Sequence, residues 1–178
     1  MAVSNIKNPA SAVSDSTIYS INWANPTNCF TSDNVRSATS PTVAGDVTIV
    51  DDEIYLQTAG GVTIGNNKAD TSTAWSLTES YISYGDENDK WGATLTPAIV
   101  NATDFGVGVG CKINTSQSGR LYASNFTSNI PTNAVISGIK VEVEKRKLYD
   151  SRGNTTVANI DHIRMTIYYG FPHLHHFA

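Results

Sequence analysis

Ile139-Lys140-Val141-Glu142-Val143-Glu144-Lys145 alternates apolar and charged residues. In an extended chain, successive side chains point to opposite faces, so this stretch predicts a β-strand with one face in a core and one in solvent. Ile163-Arg164-Met165-Thr166-Ile167-Tyr168-Tyr169 repeats the pattern. Ile163, Met165, Ile167 and Tyr169 would share one face, with Arg164, Thr166 and Tyr168 on the other. Residues 47–56 read as a strand with a polar interruption or as two short strands, and 16–23, 105–113 and 121–126 are shorter candidates. Gly106, Gly108 and Gly110 alternate with Val107 and Val109. That would leave one strand face bare, so another backbone or a bulky side chain is expected to pack close there. The clearest helical signal is at residues 96–101, where Thr96 can cap and Pro97 suits the first helical position. The fold expectation is all-β: a single antiparallel β-sandwich, jelly-roll-like, with at most one or two short helical turns.

Composition agrees with that expectation. The 178 residues are about one domain's worth. Hydrophobic residues make up 40% and charged residues 16%, against roughly 25% charged in an average soluble protein. Thr (20), Ser (18) and Asn (16) take up the difference. Thr suits strand faces, and Asn and Ser suit the turns between them. The chain is too apolar for disorder and has no apolar run of about 18 residues, so neither a disordered chain nor membrane insertion is expected. A net charge of −4 lacks the basic footprint of a nucleic-acid binder. The first residues show no basic stretch followed by an apolar one, so no secretory signal is expected. Residues 1–15 read as an N-terminal arm, 16–169 as the sandwich, and 170–178 as an apolar, ring-rich docking tail.

Candidate chemistry is sparse. Cys29 and Cys111 are expected as two small buried thiols, although pairing stays open. His173 and His175 share a face if extended and could contribute to a metal site between chains, a reading weighed against simple packing of the tail. Asp51-Asp52-Glu53 and the 86–89 segment could bind calcium but read first as solvated loops. No nucleophile elbow, zinc-helix or phosphate-loop pattern occurs, so no catalytic residue and no cofactor are expected. Tyr81, Tyr84 and Trp91 are the rings to consider for stacking on a sugar, against the commoner role of core residues.

Several strings also resemble a known group. Trp23-Ala24-Asn25-Pro26-Thr27-Asn28 followed by Ser32-Asp33-Asn34 resembles W-x-N-P-x-N…S-D-N. Residues 130–144 resemble I-P-x-x-A-x-I-x-G-I-x-V-E-V-E, and 161–169 resemble D-H-I-R-x-T-I-Y-Y. Residues 91–97 and 101–107 resemble W-G-x-x-x-T-P…N-x-x-x-F-G-V. Together these strings are similar to those of β-sandwich structural proteins of tailed-bacteriophage virions, found as head decorations, head fibres and tail appendages. The resemblance implies a non-enzymatic virion protein, assembled in the host cytoplasm and released by lysis, that binds other virion proteins as a homo-oligomer. Phe171, Leu174 and Phe177 would make the partner contacts. The alternative is a carbohydrate- or receptor-binding module of a tail fibre or cell surface.

Overall fold

The computed structural model describes residues 2–4, 6–15, 23–30, 37–38 and 43–172. Within these, twelve strands run in chain order. They are β1 (Ala2–Val3), β2 (Ser11–Asp15), β3 (Ser37–Ala38), β4 (Val43–Ala44), β5 (Ile49–Thr58) and β6 (Val62–Ile64). They continue as β7 (Ser80–Tyr84), β8 (Gly106–Ile113), β9 (Ser116–Gln117), β10 (Arg120–Ser124), β11 (Val135–Asp150) and β12 (Thr155–Gly170).

The two alternating stretches form a long hairpin, β11 and β12, paired antiparallel from Val135↔Gly170 to Asp150↔Thr155. Ile139, Val141 and Val143 on one strand and Ile160, Ile163, Met165 and Ile167 on the other are fully buried. Burying each such side chain contributes roughly 1.5–3 kcal/mol. β7 adds to the far edge of β11, while β1, β3 and β4 add along the far edge of β12. The second sheet runs β2-β10-β8-β5-β6, with β9 on β8. It supplies Ile49, Ile54, Leu56, Val107, Val109, Cys111 and Leu121 to the shared core. The chain passes repeatedly from one sheet to the other, and the fold is the expected all-β antiparallel sandwich.

Several local expectations hold. Pro97–Val100 forms the short helix α1, with the Thr96 hydroxyl accepting from the Ile99 amide. The bare glycine face of β8 is filled as expected. A Cβ on Gly108 would lie 2.8 Å from the Tyr122 ring, and one on Gly106 would lie 1.9 Å from the Ala123 carbonyl oxygen. The indole N–H of each tryptophan is satisfied: Trp23 donates to the Gly119 carbonyl, Trp75 to Asp51 and Trp91 to the Ile139 carbonyl.

Two expectations are corrected. The described residues of the expected 1–15 arm, 2–4 and 6–15, are tied to the sandwich. β1 pairs with β12, Lys7 and Met165 exchange backbone hydrogen bonds, and β2 pairs with β10, so this segment edges first one sheet and then the other. Edge pairing uses backbone groups, which explains why a segment without an apolar pattern can still be tied down. Asp51-Asp52-Glu53 is not a solvated loop either. It lies inside the single strand β5, with Asp51 buried and Glu53 held by Arg120. Of the expected strand at 16–23, residues 16–22 lie outside the described residues and Trp23 is not in a strand; the Ser32-Asp33-Asn34 string also lies outside them.

The 86–92 loop seals the end of the hairpin. Asp89 accepts from the Trp91 amide and pairs with Lys68 at 2.7 Å, while the Ile139 amide donates to the Asp89 carbonyl. Gly138 lies directly under this loop, where a Cβ would sit 2.3 Å from the Asp86 carbonyl oxygen and 2.5 Å from the Glu87 carbonyl carbon. Backbone cannot yield as a side-chain tip can. Gly138→Ala is therefore expected to displace the loop and lower stability by about 1–3 kcal/mol. A urea unfolding curve with its midpoint unchanged would refute this.

Candidate functional site

Each sheet carries a β-bulge. In β5 the pairing with β8 slips between Asp51 and Glu53, leaving Asp52 as the extra residue. In the hairpin it slips between Glu144 and Lys145, where the partners jump from His162 to Ile160 and leave Asp161 extra. Bulges re-aim side chains and are common beside functional sites. Lys145 keeps the phase of Ile139, Val141 and Val143 and enters the core from one sheet. Asp51 keeps the phase of Ile49 and enters from the other. The two charged groups meet there, 6% and 2% exposed respectively.

Asp51 is the hub. It accepts from the Trp75 indole N–H at 2.8 Å, the Tyr84 hydroxyl at 2.7 Å and the Asp70 amide at 3.3 Å, and Lys145 Nζ bonds to it directly. Lys145 also donates to the Tyr84 hydroxyl. Its ammonium sits 4.7 Å from the Trp75 ring centre and 5.2 Å from that of Tyr84. Burial pulls the Lys145 pKa down, and the Asp51 charge opposes that pull. Burial, and then the nearby Asp51 charge, push the Tyr84 phenol up. The Trp75 amide donates to the Ile49 carbonyl and the Lys147 amide to the Ser76 carbonyl, fixing the 75–76 segment over the pair. An open cleft of about 420 Å³ lined by Thr48, Val50, Asp51, Asp52, Thr71, Lys112 and Asn114 lies alongside.

A second cluster covers the outer face of the hairpin sheet. Arg164 grips Glu142 through two hydrogen bonds of 3.1 Å and lies 3.9 Å over the Tyr81 ring. The Tyr81 hydroxyl is 2.6 Å from His162 Nδ1, and His162 Nε2 is 3.0 Å from the Asn8 side-chain oxygen. Glu79, Glu144 and Asp161 bring carboxylate oxygens within 4.8 Å of one another. Such a triad could ligate a hard cation, but the Arg146 guanidinium, 3.3 Å from Glu79, already supplies a positive counter-charge.

The rings named from the sequence do not form a sugar platform. Trp91 is fully buried and Tyr84 faces Asp51 in the core, so neither offers a face to a ligand. Tyr81 is half-buried, with Arg164 over its ring. Phe171 is exposed and packs edge-on against Tyr169 at 6.0 Å, and exposed Val135 lies opposite the neighbouring Gly170 across the ladder. Leu174, Phe177, His173 and His175 lie outside the described residues. The Asp51–Lys145 pair was missed by sequence reasoning. The signal that could have found it is a charged residue in phase with the core face on each of two strands. No protein-family model, curated protein or solved structure matches this chain.

Both cysteines are free and buried. Burial pushes the Cys29 and Cys111 thiols up to about 12, against smaller opposing hydrogen bonds at the Cys29 backbone and the Ser118 hydroxyl. The thiolate is the reactive form. Iodoacetamide at neutral pH is therefore expected to label neither residue in the native protein and both in denaturant; labelling of the native protein would contradict this burial.

Glu142 gives a pH dependence. Burial alone would raise its carboxyl, but the Arg164 hydrogen bonds and charge, aided by Lys140, outweigh that and hold it below its ordinary value. A carboxylate held low in the native state adds stability above its unfolded value of about 4.3, and the addition is lost as pH falls through the lower native value. Urea midpoints should therefore fall on acidification below about pH 4, and Arg164→Gln should flatten that dependence.

Proposed function

We propose that this chain is a non-enzymatic structural protein of a tailed-phage virion, a head-associated or tail-associated sandwich that works by binding other virion proteins. The observation that supports this reading is that residues of the separate resembling strings bond to one another. Asn101 of the N-x-x-x-F-G-V string makes reciprocal 2.8 Å hydrogen bonds with the backbone of Ile130 in the I-P string. Trp91 of the W-G string donates to Ile139, and Arg164 of D-H-I-R grips Glu142 of V-E-V-E. The strings thus act as one set of fold determinants, and their side chains are spent on architecture.

Binding then falls to surface elements. Phe171 and Val135 are both exposed, one just past the end of β12, where residues 170–178 begin, and the other at the start of β11 opposite Gly170. That segment is the proposed contact with neighbouring virion proteins, and assembly as a homo-oligomer would cover exposed sheet edges. The carbohydrate-binding alternative loses support, because Tyr84 and Trp91 are core residues.

Deleting 170–178 should prevent incorporation into particles while circular dichroism of the purified protein stays β-rich. Full incorporation of the truncated chain would remove the tail from the proposal. Absence of the intact protein from purified particles, examined by immunogold electron microscopy, would overturn the virion role itself.

A further inference from the structure

We propose that Lys145 and Asp51 become joined by an intramolecular isopeptide bond, a covalent amide that ties the two sheets of the sandwich together.

The geometry has what amide formation requires. The amine and the carboxylate touch directly, one from each sheet, Lys145 on β11 opposite the β12 bulge and Asp51 beside the β5 bulge. Fixing two reactants in contact is equivalent to an effective molarity of about 10⁵–10⁸ M in well-oriented systems. The site is nearly closed to solvent and is walled by the Trp75 and Tyr84 rings. In such surroundings an ammonium is poorly solvated, which favours the neutral amine that the attack needs. Burial acts on Lys145 in that direction.

The step balances within the site. A proton passes from Lys145 Nζ to the Asp51 carboxylate, directly or through the Tyr84 hydroxyl, which touches both partners. The neutral amine attacks Asp51 Cγ and forms the C–N bond. Negative charge then develops on a carboxyl oxygen. The Trp75 N–H lies 2.8 Å from Asp51 Oδ1 and the Tyr84 O–H lies 2.7 Å from Oδ2, two fixed donors suited to holding that charge. Collapse breaks one C–O bond. The oxygen leaves as water with the two protons that came from the amine, and the cleft lined by Asp51 offers it a way out. No oxidant, metal or co-reactant is needed. The product replaces two buried charges with one neutral amide.

Intact-mass spectrometry of the denatured full-length chain tests this. The expected mass is lower than the sequence mass by one water, and proteolysis should release the Asp51 and Lys145 peptides as one linked species. Lys145→Arg should restore the full sequence mass. Asp51→Asn can form the same bond and should then lose one ammonia, and Tyr84→Phe should leave part of the population unlinked. A wild-type chain at its full sequence mass, with separate Asp51 and Lys145 peptides, overturns the proposal whether or not the variants fold. So does a loss of water that maps to a succinimide at another residue.

Discussion

The pairing of β11 with β12 is the constraint from which the other elements take their places. The hairpin, sixteen residues on each side, presents an apolar face broken at Lys145, and that face must be covered. The second sheet covers it with Val107, Val109, Ile54 and Leu56. The hairpin's two outer edges recruit the remaining strands of its sheet, including β1 near the start of the chain. The loop that carries Trp91 closes over its entry by bonding both backbone groups of Ile139.

A charged pair at the centre of this core is a costly feature. Removing two ions from water costs several kcal/mol each after relaxation, and a well-packed apolar pair of equal volume is often no worse for stability. The sandwich nevertheless devotes a bulge from each sheet, an indole N–H, a phenol and the fixed 75–76 segment to surrounding Asp51 and Lys145. Four hydrogen-bond donors converge on one carboxylate. That arrangement distinguishes the pair from the other face of the hairpin sheet, where half-buried Arg164 and Lys140 both pair with Glu142.

The virion reading and the buried pair rest on different residues. The strings that carry the resemblance lie mostly on β11, β12 and the loops that brace them, and their contacts are architectural. Asp51 and Trp75 belong to none of those strings. Tying the sheets covalently would act on resistance to unfolding, a property independent of which surface meets a partner.

Strict alternation made β11 and β12 legible, because a period of two has few other physical meanings over seven residues. The capped turn at Thr96-Pro97 and the packed glycine face of β8 were legible for similarly local reasons. The binding roles considered for Tyr84 and Trp91 were misleading, because ring type alone does not tell a core face from a solvent face. The docking of β1 and β2 was hidden, since backbone pairing leaves little mark on side-chain pattern. By itself the sequence determined an antiparallel all-β sandwich, through periodicity and turn chemistry that act over a few residues. Only the tertiary structure decided that Asp51 and Lys145, ninety-four positions apart, meet in the core. Their meeting depends on how the two sheets stack, which is not encoded within any one stretch of chain.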